Sequence, residues 1–129
     1  MDNKNHSLIE GFRYAFEGLA ETFRAERNMK IHCAATVIVM ACAVILGLTA
    51  AEKAVLLILC GLVIAAELFN TAIENAVDIS APTFNMFAKR AKDTAAAAVL
   101  VMSIVAAAVG IIIFWPYAVE LFWKIQKLI

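Results

Sequence analysis

The sequence predicts an all-α membrane protein, with one amphipathic surface helix followed by three membrane-spanning helices. Three observations lead there. Hydrophobic residues make up 64% of the chain and charged residues 17%, with a mean hydropathy of +0.84, a larger apolar share than a small water-soluble fold can bury. The charges are also segregated: no Asp, Glu, Lys or Arg occurs from Ile31 to Ala51, from Ala54 to Ala66, or across the 26 residues from Thr94 to Val119. A hydrocarbon core of about 30 Å takes about 20 helical residues to cross. The first and last windows suffice alone, and the middle one suffices by running on through Glu67, Asn70 and Glu74.

The first element is expected at about residues 7–27, where Leu8, Ile9, Phe12, Phe16, Leu19, Ala20 and Phe23 recur at helical spacing between Glu10, Arg13, Glu17, Glu21 and Arg24. Ser7 with Glu10 three residues later has the form of a capping box. The apolar stripe suits a helix lying in the membrane interface, although a soluble helix packed on the bundle would carry the same pattern. The spans follow at about 30–49, 53–78 and 91–115, and residues 116–129 form a tail, all within one domain covering 1–129. Pro116 is expected to interrupt the third span, since proline removes a helical N–H and clashes with the preceding turn. The third span is rich in small residues (Ala95 to Ala98, Ala106 to Ala108, Gly110), which allow close approach of helix backbones.

Three spans put the N-terminal segment and the loop between the second and third spans on one side, with eight Lys and Arg residues against three (Lys53, Lys124, Lys127) on the other. The excess marks the cytoplasmic face of a cell membrane. Trp115, Tyr117 and Trp123 then suit an aromatic belt at the outer interface. A formal net charge of zero argues against nucleic acid as a partner. Cys33, Cys42 and Cys60 are an odd number without a C-x-x-C pair, and fit neither a disulfide framework nor a zinc site.

The second span carries the chemistry. At about 100° per residue, Glu67, Asn70, Glu74 and Asp78 fall within an arc of about 80° on one helix face. If the hydrocarbon begins near Ala54, Glu67 lies roughly 9 Å below the cytoplasmic boundary and Asp78 lies outside it. Intramembrane ionisable groups are costly and mark function by default; a polar seam that merely specifies helix association is the plainer reading of any one of them. Lys92 and Asp93 sit where the third charge-free window starts, at the same surface. Lys89, Arg90 and Lys92 also serve as topology-setting charge. Glu26, before the first span, lies at the same level, and with Glu74 it offers the carboxylate oxygens that Mg²⁺ prefers, although a solvated interfacial pair would look the same. No phosphate-binding glycine loop, H-E-x-x-H or G-x-S-x-G motif is present.

These clusters resemble the small bacterial integral-membrane lipid kinases, the diacylglycerol kinase and undecaprenol kinase family. The matching elements are the E-x-x-N-x-x-x-E string from Glu67 through Asn70 to Glu74, then Asp78, then Ala91, Lys92 and Asp93, with Glu26 upstream. Glu26, Arg27 and Asn28 followed by His32 look more like the undecaprenol kinase branch. The resemblance implies a homotrimer with sites shared between subunits, and ATP- and Mg²⁺-dependent phosphorylation of a membrane lipid alcohol, undecaprenol in preference to diacylglycerol. Carried over, Glu67 is the general base on the lipid hydroxyl with Asn70 beside it, and Glu26 and Glu74 hold Mg²⁺ at the nucleotide. Tyr14, Lys92 and Asp93 contact the nucleotide, flanked by Thr83, Phe84 and Asn85, and Asp78 supports the site. The apolar loop from Ala81 to Phe87, and Glu17 where the diacylglycerol kinase branch tends to carry a basic residue, depart from the pattern.

Two other classes compete. A small proton-coupled transporter using Glu67 accounts for one intramembrane carboxylate but not for a stripe reaching Asp78 beside Lys92 and Asp93. A non-enzymatic membrane assembly subunit is the third reading, one in which ATP leaves the protein's thermal stability unchanged.

Overall fold

A computed structural model of the chain describes residues 8–128 as four α-helices: α1 (Leu8–Ala25), α2 (Arg27–Ile45), α3 (Ala50–Ser80) and α4 (Met86–Gln126). No strand occurs among the described residues. The expected capping residue Ser7 lies outside them. Helices α2, α3 and α4 are each long and apolar enough to cross a membrane, and the protein is a membrane protein with an inverted exterior. Ile38, Ile58 and Val101 stand more than half exposed, while Glu67 is buried; in lipid it is polar side chains that seek the interior.

α3 is the central element. It packs along α4 most extensively and along α2 next, while α1 rests on α2 and touches α3. Helix α1 buries none of its residues.

The break between α1 and α2 falls at Glu26, whose extended backbone (φ −93°, ψ 123°) makes it the cap of α2 without a capping bond from its side chain. Lys30 reaches back to donate to the carbonyl oxygen of Arg24 at 2.8 Å, satisfying one of the orphan acceptors at the end of α1.

The turn between α2 and α3 is built from two joined caps. Gly47 adopts φ +71°, and the amides of Leu48 and Gly47 donate back to the carbonyls of Ala43 (3.0 Å) and Val44 (3.1 Å). That is a Schellman closure, with the usual hydrophobic contact supplied by buried Ala43 and Leu48, joined by Leu56. Thr49 then opens α3 with a complete capping box to Glu52. This closure ends α2 at Ile45, short of the expected 49.

α4 corrects one expectation. It spans 41 residues with Pro116 inside it, about 60 Å of helix, so the helix continues through the tail where the proline was expected to interrupt it. Proline deprives only the carbonyl one turn back, and membrane helices tolerate this where neighbours hold the next turn. Here they do. Tyr117 packs on the Ala43, Leu48 and Leu56 cluster, and its hydroxyl donates to Glu52 Oε2 at 2.7 Å. At its other end α4 starts at Met86 because the Asn85 side chain accepts from the amides of Phe87 (2.8 Å) and Ala88 (3.2 Å).

Candidate functional site

The polar residues of α3 are placed by helix periodicity and held by the flanking helices. Glu67 is 1% exposed, the most buried polar side chain among the described residues. Thr71 donates its hydroxyl to the Glu67 carbonyl at 3.1 Å, and one turn further Asn70 donates its side-chain amide to Glu74 Oε1 at 3.1 Å. Glu67 Oε2 and Asn70 Oδ1 are buried with no hydrogen-bond partner among the described residues. Buried polar atoms without partners are rare and costly, and these two acceptors lie within one turn of each other.

α2 completes this lower part. Asn28, Glu26, His32 and Glu74 lie near enough to act on the Glu67 carboxyl. The fold therefore brings together Glu26, Glu67, Asn70 and Glu74. Asn28 is the member that sequence reading left without a role. It sits within the string quoted with Glu26, two residues on, but only the crossing of α2 over α3 reveals that it lies near Glu67.

The upper part lies at the elbow between α3 and α4. A cavity of about 430 Å³ there is bordered by Asp78, Thr83, Phe84, Asn85, Lys92 and Asp93, all six of them singled out from the sequence. Lys92 Nζ donates to both oxygens of Asp78, at 2.7 and 2.9 Å. Asp93 pairs with Lys89 at 2.6 Å, an i,i+4 pair on α4 that the spacing alone makes legible, so Lys89 is more than topological charge. Asn85 borders the cavity and uses its side-chain oxygen on the α4 cap. Lys92 is close enough to Glu74 to feel its charge, linking the two parts. Tyr14 is 49% exposed on α1, with the Arg13 guanidinium 5.1 Å from its ring centre.

Among the described residues no three His, Cys, Asp or Glu side chains gather into a metal cage. Two carboxylates suit Mg²⁺ better than they would suit zinc, because Mg²⁺ keeps several waters and takes its remaining ligands from phosphate oxygens. Glu26 fits, since its carboxylate is not used in capping α2.

A separate apolar cavity of about 420 Å³ lies between α2 and α4 on the floor of α3, beginning at His32 and Val63, one turn below Glu67, and ending at Leu56 and Phe114. Ser103 borders it with a buried hydroxyl that has no partner among the described residues.

Over residues 13–114 the chain matches the model of the prokaryotic diacylglycerol kinases. An undecaprenol kinase of Bacillus subtilis is 37% identical over 121 residues, which cover 90% of this chain and 98% of that protein. A diacylglycerol kinase of Synechocystis is 42% identical over 105 residues, covering 81% of this chain and 60% of that longer protein.

Proposed function

The chain belongs to the prokaryotic diacylglycerol kinase family and is a lipid kinase, and we propose that it transfers the γ-phosphate of ATP to the hydroxyl of undecaprenol, with diacylglycerol the less favoured acceptor. The observation that carries the reading is the buried Glu67 carboxyl with an oxygen that has no donor among the described residues, set beneath Glu74 and Lys92 at the cytoplasmic end of α3. The preference for undecaprenol is supported by the nearly full-length match to a relative of that name.

In this reading the lipid hydroxyl enters from the bilayer beside Asn70 and gives its proton to Glu67 Oε2. Its oxygen forms the new bond to the γ-phosphorus as the bond to the ADP oxygen breaks. Phosphoryl transfer is mostly positioning and charge neutralisation, so the site needs no glycine loop. Bound Mg²⁺ supplies charge neutralisation on the phosphate oxygens. Glu26 and Glu74 hold it, with Asn70 orienting Glu74 through the 3.1 Å bond. Lys92 and Asp93 contact the nucleotide, Thr83, Phe84 and Asn85 flank it, and Tyr14 reaches it from α1, which lies in the membrane interface. Asp78 supports Lys92. The same reading places the N-terminus and site in the cytoplasm, and the chain in a homotrimer.

The test is phosphate transfer by purified protein in mixed micelles, offering undecaprenol and diacylglycerol separately with and without Mg²⁺. The expected result is Mg²⁺-dependent undecaprenyl phosphate in excess over phosphatidic acid. A reversed ratio would overturn the acceptor preference, and no product with either lipid would overturn the reading.

A further inference from the structure

We propose that Asp78 is a positioning residue for nucleotide binding that acts through Lys92, holding its ammonium over α3 before any nucleotide arrives. This rests on the nucleotide role of Lys92 proposed above. Three observations carry it.

The first is geometric. Lys92 Nζ bonds both carboxylate oxygens of Asp78, at 2.7 and 2.9 Å, across fourteen residues of sequence. The pair ties the last turns of α3 to the first turns of α4 and closes the elbow that borders the 430 Å³ cavity. Lysine has three N–H donors, so a third remains for a phosphate oxygen.

The second is the lack of substitutes on α4 itself. Residues one turn from Lys92 are Ala88, Lys89, Ala95 and Ala96, none of them an acceptor for its ammonium, and the neighbouring Asp93 is taken by Lys89 at 2.6 Å. With Asp78 gone, only the Glu74 charge on α3 still draws the ammonium, and no bond orders its flexible four-carbon stem. The loss of freedom on ordering that stem would then fall on nucleotide binding.

The third is placement. Asp78 is one turn beyond Glu74 on the same face, about 6 Å along the axis, and the Glu74 charge reaches Lys92. The Asp78 bond therefore fixes the ammonium beside the carboxylate that faces the phosphates. The pair is itself poorly placed to stabilise the fold, because the side chains of Lys92 and Asp78 are 34% and 65% exposed and exposed ion pairs contribute little.

The experiment is a binding cycle. Affinity for Mg²⁺–ATP is measured by titration calorimetry on the detergent-solubilised full chain as wild type, Asp78→Asn, Lys92→Met and the double variant, with Asp78→Glu as the conservative rescue. Expected are a roughly five-fold weaker affinity for Asp78→Asn, a return to within two-fold of wild type for Asp78→Glu, and no further loss when Asp78→Asn is added to Lys92→Met. Non-additivity of this kind is the mark of one group acting through another. The same loss from Asp78→Asn in both backgrounds, or no loss at all, would overturn the proposal. Wild-type protein that binds Mg²⁺–ATP normally but phosphorylates no lipid would overturn the proposed reaction while the Asp78 result still stands or falls by the cycle. Loss of binding by Asp78→Asn together with a lowered melting temperature, both unrescued by Asp78→Glu, would assign the residue to the fold instead.

Discussion

Glu67 is an expensive residue for this chain to keep. A carboxyl in an apolar helix, 1% exposed and with one oxygen unpartnered, costs stability that leucine in its place would not. Its retention is explained if that oxygen takes a proton during turnover. Replacing it by glutamine keeps shape and burial but removes the base, so turnover should fall about 10²- to 10⁴-fold, the usual contribution of a general base. The melting temperature should be unchanged or higher. Lipid phosphate formation and thermal unfolding of the same preparation check both halves, and a variant with full activity would remove Glu67 from the chemistry. At this scale the sequence was most informative where periodicity aligned like residues. Glu67, Asn70, Glu74 and Asp78 share a face because of the 3.6-residue repeat, and no tertiary contact is needed to see it. Asn28 and the pairing of Lys92 with Asp78 depend on which helices cross, and local spacing carries no record of that.

Helix ends decide where each element places those residues. The turn between α2 and α3 works because Gly47 sits at φ +71°, a conformation that costs an L-residue about 1–2 kcal/mol. A methyl group there would meet nothing within 4 Å, so the penalty of Gly47→Ala is conformational only. Unfolding in micelles should show a loss of about 1–2 kcal/mol with activity per folded molecule preserved. The same turn holds α4 through Tyr117. Removing the hydroxyl in Tyr117→Phe deletes the 2.7 Å bond to Glu52 and should cost about 1 kcal/mol, while Glu52 keeps its bonds from the Thr49 amide and hydroxyl. Proteolysis should then cut earlier beyond Pro116; an unchanged cleavage pattern would mean that apolar packing alone carries α4 through the proline. The continuation of α4 was not legible in advance. A proline reads as a break unless the contacts that hold the following turn are known, and those come from α2 and α3.

As a whole, the molecule strings its polar residues along one stripe of α3, from the buried middle of the helix to its exposed end at the α3–α4 elbow. The elements follow one another along α3, with the apolar cavity first, Glu67 one turn past its Val63 end, Glu74 about two turns further, and Asp78 with Lys92 at the elbow. If Mg²⁺ is bound between Glu26 and Glu74 only together with phosphate oxygens, chelation should abolish turnover without unfolding the protein. Circular dichroism with excess EDTA should keep its helical signal while lipid phosphate formation stops and returns on adding Mg²⁺. Loss of the helical signal would instead mark a structural metal.

Composition and charge-free windows alone determined that three helices cross a membrane and which helix carries ionisable groups into it, because transfer of charge into hydrocarbon is costly enough to be written into every span. The E-x-x-N-x-x-x-E string with Lys92 and Asp93 likewise pointed to lipid kinases, and the comparisons place the chain among them. Only the tertiary structure decided which carboxylate faces which donor. It brought Asn28 near Glu67, bonded Lys92 to Asp78, and carried α4 past Pro116. Each of these depends on a helix crossing, and a crossing is set by the packing of whole faces against one another, which no local stretch of sequence contains.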